Sequence, residues 1–154
     1  MTATIRNVFN NRYLTEMTVV VTDKNVSKRM KGNKSKGTKP EILLRKVLTN
    51  KGIKGYRICY TDIIGKPDIV FIKKRIAVFV HGCFWHSCPS CNLKVPNKNN
   101  EFWLKKLTGN KNRDKIVLDT LETAGWTVVT VWECKLKNNP EEEVNRIGSL
   151  ILQK

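Results

Sequence analysis

The stretch Lys66–Gly82, KPDIVFIKKRIAVFVHG, decides how the rest of the chain can be arranged. It reads as two strands joined by a tight turn at Lys73-Lys74, because apolar runs lie on either side of a charged pair. The second run, IAVFVHG, is almost continuously apolar, the pattern of a central strand covered on both faces. Upstream, GYRICYTD (55–62) alternates and suits a further strand. Downstream, WTVVTVWEC (126–134) suits another buried one. Helices fill the intervals. TKPEILLRKVLTNKG (38–52) has Thr38 or Lys39 at the cap, Pro40 in the first turn, Glu41 near the positive helix end and Gly52 past the stop. Its apolar face is expected from Ile42, Leu43 and Val47, with Leu44 and Leu48 as further candidates. NNEFWLKKLTGN (99–110) reads as a short helix, and NRDKIVLDTLETAGW (112–126) as a longer one ending at Gly125. Asn139-Pro140 and three glutamates open a last amphipathic helix. The order helix, three strands, helices, strand, helix predicts an α/β fold, a mixed sheet flanked by helices.

The chain has 154 residues and is 40% hydrophobic, enough for one domain with a proper core. Residues 1–23 are weakly patterned and are expected to be a peripheral extension, with the domain occupying 24–154. No apolar run approaches membrane-spanning length, and the N-terminal residues lack the layout of a secretory signal, so a cytoplasmic protein is expected. The net charge is +16. Such a surface attracts polyanions, and nucleic acid is the first candidate, against a merely solvated basic surface. Lys24 to Lys54 carries eleven Lys or Arg and one acid, Glu41. Its first part, KRMKGNKSKGTK (28–39), is the composition of a segment that is flexible or ordered by DNA. Residues 24–39 are therefore read as a basic DNA-contacting segment, Lys28 and Arg29 included.

FVHGCFWHSCPSC (79–91) holds both histidines and three of the five cysteines. Cys88-x2-Cys91 has the spacing of a metal knuckle, Cys83 stands just before it, and Cys134 ends the last predicted strand. Four thiolates make a closed tetrahedral zinc site, which is structural because it has no open position for water. The bland reading is four independent reduced cysteines. Cys59, inside a predicted strand, reads as an inert core thiol. Pro67-Asp68 opens a strand, where a carboxylate can hold Mg²⁺ at the sheet edge. His81 and His86 are catalytic candidates, or else further zinc ligands. Glu41, the sole acid of a basic helix, is either a surface residue or faces the metal.

KPDIVFIKKRIAVFVHGCFWHSC, NNEFWLKKLTGNKNRD and LETAGWTVVTVWEC together resemble the very-short-patch repair (Vsr) mismatch endonucleases. The similarity runs from Lys28 to Cys134, roughly two thirds of the chain, and SKRMKGNKSKGTKPE resembles the family's N-terminal signature. The resemblance implies a fold like that of type II restriction endonucleases. It matches Asp68 to the family's Mg²⁺-binding aspartate, and His81 and His86 to two active-site histidines. It matches Glu41 to a glutamate bonded to the histidine and water network, and Cys83, Cys88, Cys91 and Cys134 to the structural Zn²⁺ site. Phe84 and Trp85 match an aromatic wedge driven into the base stack beside the mismatch, Trp103 a third aromatic, and Met30 a residue inserted from the other side. Unstacking costs about a few kcal/mol per step, and a mismatched pair resists it least.

The activity so implied is Mg²⁺-dependent nicking of one strand 5′ of the T in a T·G mismatch, in repair of deaminated 5-methylcytosine. The partner is then mismatched double-stranded DNA, bound by a monomer, with no membrane; which mismatch-repair proteins cooperate stays open. Three departures from the family's pattern are visible. Val80 stands where threonine is usual, Cys88 where histidine is usual, and the loop before Cys91 is one residue longer. A related restriction-type endonuclease, or a zinc-containing DNA-binding module without catalysis, are the competing readings.

Overall fold

The computed structural model describes residues 36–153. Met30, Lys28, Arg29, the extension at 1–23 and most of the basic segment lie outside the described residues. The first helix, α1 (Lys39–Asn50), starts where Thr38 leaves extended backbone. The Glu41 amide donates to Thr38 Oγ1, and the Thr38 hydroxyl donates back to Glu41 Oε1 at 2.7 Å. This reciprocal cap satisfies a helix end that would otherwise have free donors. Glu41, Leu44 and Leu48 form the buried stripe of α1. Ile42, expected on that face, is 53% exposed. The stripe follows the i, i+3, i+7 spacing, which places Ile42 on the opposite side.

The sheet has four strands in the order β1 (Arg57–Ile58), β2 (Ile69–Phe71), β3 (Ile76–His81), β4 (Thr127–Trp132). β1 and β2 are antiparallel, as are β2 and β3, whereas β3 and β4 are parallel, so the sheet is mixed as expected. The β2–β3 connection is a 3-10 turn at Ile72–Lys74 closed by Arg75 in the left-handed region. β1 is far shorter than its alternating sequence suggested. The backbone leaves the strand at Cys59, whose φ is 48°, so Cys59 is a half-buried loop residue and not a core strand thiol.

The parallel β3–β4 pair requires a long crossover, and α2 (Asn100–Thr123) supplies it as one unbroken helix of 24 residues. Two helices were expected here. Gly109 does not break the helix, because glycine costs only about 1 kcal/mol in a helix interior, and no proline follows. The stop comes at Gly125, at φ +76°, where Gly125 and Trp126 amides bond back to Glu122 and Leu121 carbonyls. After β4 the chain enters a short helix, α3 (Glu133–Asn138), and then α4 (Pro140–Gln153). Leu44 and Leu48 of α1, Leu136 of α3, and Val144 and Ile147 of α4 pack on Ile69, Phe71, Ile76, Val78, Val129 and Val131 of the sheet. Each fully buried Leu or Ile contributes roughly 1.5–3 kcal/mol. Strand alternation leaves Phe79 and His81 of β3, and Trp132 of β4, on the other face.

Candidate active site and thiol cluster

The end of β3 is where the chemistry collects. Asp68, just before β2, is held to β3 by two hydrogen bonds, one from its backbone and one to its side chain. Its amide donates to the Val78 carbonyl at 3.0 Å, and its Oδ2 accepts from the Val80 amide at 2.7 Å. Val80 therefore acts on Asp68 through its backbone, while its side chain packs against the core. That bond needs no hydroxyl, so valine in place of the family's threonine leaves it intact. Burial pushes the Asp68 carboxyl up to about 6, and the nearby Glu41 charge adds to this, while the Val80 amide, His86 and Arg45 oppose it. Glu41 is buried, and both its oxygens are used: Oε2 accepts from the Gly37 amide at 2.9 Å and Oε1 from Thr38. Among the described residues none of its hydrogen bonds goes to a histidine.

His81 closes β3, and His86 lies one loop turn beyond it, fixed by its amide bonding back to the Gly82 carbonyl. The two imidazoles stack with centroids 3.9 Å apart and planes 9° from parallel. His81 also meets the edge of Trp132 at 5.4 Å, its paired residue in β4. Burial holds the His81 imidazole down to about 4, helped by His86 and opposed by Asp114. It is therefore neutral near pH 7. His86 Nδ1 lies 2.5 Å from Asp114 Oδ2 of α2. An aspartate accepts, so Nδ1 carries the proton and Nε2 is left as the basic nitrogen. His81, His86 and Asp114 have ligand atoms within 4.8 Å of one another.

Asp114 was not singled out from the sequence. It lies 28 residues from His86 and on a different element. A signal did exist. Trp103, Leu107, Asn110, Asp114 and Leu121 share one face of an uninterrupted α2, so Asp114 is an acid on an otherwise inward stripe. Reading two helices hid it. Asn110 on the same stripe donates to the Trp85 carbonyl at 2.9 Å and so ties α2 to the aromatic loop. Trp132 and Trp126, both in the stretch read as a buried strand, are only half-buried: Trp132 packs against His81, and Trp126 lies under the Arg75 guanidinium.

Phe84, Trp85 and Trp103 form one aromatic cluster, with centroids 5.3 Å (Phe84–Trp85), 5.3 Å (Phe84–Trp103) and 5.9 Å (Trp85–Trp103) apart. Trp103 is buried beneath, and Phe84 and Trp85 are half-exposed above it. On the other side of this loop, Cys83, Cys88, Cys91 and Cys134 bring their sulfurs within 4.8 Å of one another. Cys134 lies not at a strand end but in the first turn of α3, where its amide donates to Cys83 Sγ at 3.3 Å. The Cys88–Cys134 sulfur separation is 3.8 Å. Thiolates 2.3 Å from a tetrahedral metal stand about 3.8 Å apart, so the donor set has the dimensions of a metal centre and not of a disulfide.

Residues 18–93 match the family described as DNA mismatch endonuclease Vsr. The DNA mismatch endonuclease Vsr of Escherichia coli K12 is 38% identical over 111 residues, 72% of this chain and 70% of that protein. This chain belongs to the Vsr family. Type II nicking enzymes of the family are also similar. V.NmeAIP of Neisseria meningitidis serogroup A is 47% identical over 116 residues, 73% of this chain and 81% of the relative. V.NaeI of Lentzea aerocolonigenes is 43% identical over 112 residues, 70% of this chain and 66% of the relative. Among solved structures, the catalytic domain of homing endonuclease I-Bth0305I superposes with a TM-score of 0.51 at 23% identity, over 76% of this chain and 97% of that one. That likeness bears on the fold, a mixed endonuclease sheet flanked by helices. As a Vsr-family protein the chain is a DNA endonuclease. Among the described residues no helix is long and apolar enough to cross a membrane.

Proposed function

We propose that this endonuclease nicks one strand of duplex DNA 5′ of the T in a T·G mismatch. It acts as a cytoplasmic monomer in repair of deaminated 5-methylcytosine. The observation that carries the reading is the His86–Asp114 pair on the loop that follows β3, the strand to which Asp68 is bonded, with an aromatic cluster on the same loop. A mismatch nuclease needs a base, a metal-binding carboxylate and a way to open the stack, and residues able to fill the three roles gather around the end of β3.

His86 is the proposed general base. Asp114 holds its Nδ1 proton, fixes the ring, and stabilises the imidazolium that forms when Nε2 takes a proton from the attacking water. His81, neutral and held by Trp132 and His86, donates or accepts a hydrogen bond at the phosphate or water without adding charge. Asp68 Oδ1 accepts no hydrogen bond among the described residues, so this carboxylate is arranged to hold Mg²⁺. Bound there, the cation would supply positive charge to the phosphate and lower the pKa of water. Glu41, with both oxygens occupied by Gly37 and Thr38, positions the start of α1 beside Asp68. Cys83, Cys88, Cys91 and Cys134 would hold Zn²⁺, a closed structural centre that anchors the aromatic loop to α3. Phe84 and Trp85 are the proposed wedge, backed by Trp103. Met30, Lys28 and Arg29 are proposed to complete the DNA contacts.

The test is a nicking assay on end-labelled duplexes in matched contexts, T·G against T·A, with Mg²⁺ and with EDTA. One nick 5′ of the mismatched T, lost in EDTA, is the expected result. Cutting of both strands of the T·A duplex would replace mismatch repair by restriction. Binding with no cutting in any context would overturn the catalytic assignment.

A further inference from the structure

Four residues on α1 after Glu41, and so on nearly the same side of the helix, stands Arg45. It is half-buried. Among the described residues its guanidinium has no hydrogen-bond or ion-pair partner. Of the neighbouring acids, Glu41 has both oxygens on Gly37 and Thr38, and Asp68 has Oδ2 on Val80 and Oδ1 without a donor among the described residues. An arginine placed only to neutralise Glu41 at this i, i+4 spacing would pair with it, and this one does not. A guanidinium has five donors in a planar fork that matches phosphate oxygens, and a half-buried one without a partner on the protein awaits a ligand.

We propose that Arg45 is a phosphate-binding residue of the active site, gripping a backbone phosphate of the strand that lies against Asp68. This rests on the reading of the site as a DNA-cleaving centre. The charge arithmetic favours it. Asp68 and Glu41 place two carboxylates where an anionic phosphodiester must arrive, and a cation on the same helix face offsets that repulsion. Arg45 directly follows Leu44, which packs in the same core cluster as Ile69, the residue after Asp68. The other cations of α1, Lys46 and Lys39, are exposed, so Arg45 is distinguished from a general basic surface by its partial burial and its place one helical turn from Glu41.

The test is DNA binding by the full-length protein in EDTA, with cutting measured separately. Arg45→Ala and Arg45→Lys are compared with wild type on a T·G duplex. Removal of one phosphate contact should weaken binding roughly tenfold. It should also reduce the slope of log Kd against log salt by about 1. Arg45→Lys should keep the salt slope but lose part of the affinity, because the fork is gone. A set of duplexes, each with one uncharged methylphosphonate near the nick, leaves the protein unaltered. At one position wild type should fall to the Arg45→Ala level, with no further loss in the variant. Equal binding and salt slope in wild type and Arg45→Ala would overturn the proposal. So would a loss that stays constant across every methylphosphonate position. Failure of wild type to cut while these binding results hold would overturn the nuclease mechanism and leave the Arg45 contact standing. Failure of wild type to bind DNA at all would overturn both.

Discussion

Asp68→Asn should make the metal-free protein more stable while abolishing its activity. The ordinary aspartate value is 3.8, and burial moves this carboxyl up to about 6. Ionising it inside the fold therefore costs about 3 kcal/mol relative to the unfolded chain. The sign follows from proton counting. Between those two values the folded state holds the proton and the unfolded state does not, so the associated stability is present in full below 3.8 and is lost as pH rises through about 6. Asparagine carries no charge, and its side-chain oxygen still accepts from the Val80 amide, so the 2.7 Å bond need not be broken. In EDTA at pH 7.5 the variant should gain up to about 3 kcal/mol in urea unfolding, or about 3 °C of Tm per kcal/mol. Half of that cost is already present at pH 5, so the gain should grow by about 1.5 kcal/mol between pH 5 and 7.5. Nicking should vanish and T·G duplex binding should persist. A variant less stable than wild type at pH 7.5, or a difference flat from pH 5 to 7.5, would refute the burial argument. Retained nicking would refute the metal-binding role.

Four further outcomes are expected. Asp114→Asn, by removing the charge that stabilises the His86 imidazolium and fixes its tautomer, should slow single-turnover nicking by about 10²- to 10⁴-fold with little change in DNA affinity; an unchanged rate would remove His86 from the role of base. Metal analysis of the purified protein should find one zinc per chain, and Cys134→Ser should both lose it and lower Tm, since binding free energy of such a centre is folding free energy. Gly65→Ala should destabilise by more than about 2 kcal/mol in denaturant titration, because φ is +79° and the new Cβ would clash with Val117 Cγ1; adding Val117→Ala should recover part of it. Arg146→Ala should cost about 2 kcal/mol in the same assay, since Arg146 donates to the buried Glu143 carboxylate and to the Thr130 carbonyl, and Glu143→Gln should lessen the effect of removing it.

Local chemistry was legible in the order of residues. Thr38, Pro40 and Glu41 announce the start of α1, Gly125 announces the end of α2, and the apolar run at Ile76–His81 announces a central strand, because caps, left-handed stops and two-sided burial act over a few neighbouring residues. The cysteine spacing around Cys88 was legible for the same reason, and the structure brings those sulfurs together with Cys134. Misreadings occurred where a local signal competes with packing. Gly109 looked like a break, yet the long crossover between parallel strands holds α2 in one piece. GYRICYTD alternates like a strand, yet only Arg57 and Ile58 find a partner.

The sequence by itself determined the mixed α/β class, the family, and the residue types able to carry phosphodiester chemistry. Tertiary structure alone decided which of them stand together. Register places Trp132 beside His81, the unbroken α2 carries Asp114 to His86, and the buried start of α1 brings Glu41 and Arg45 into the field of Asp68. Partners so far apart along the chain meet only when strand pairing and helix packing have fixed their distances. Burial, which sets the proton affinity of Asp68 and His81, exists only after that has happened.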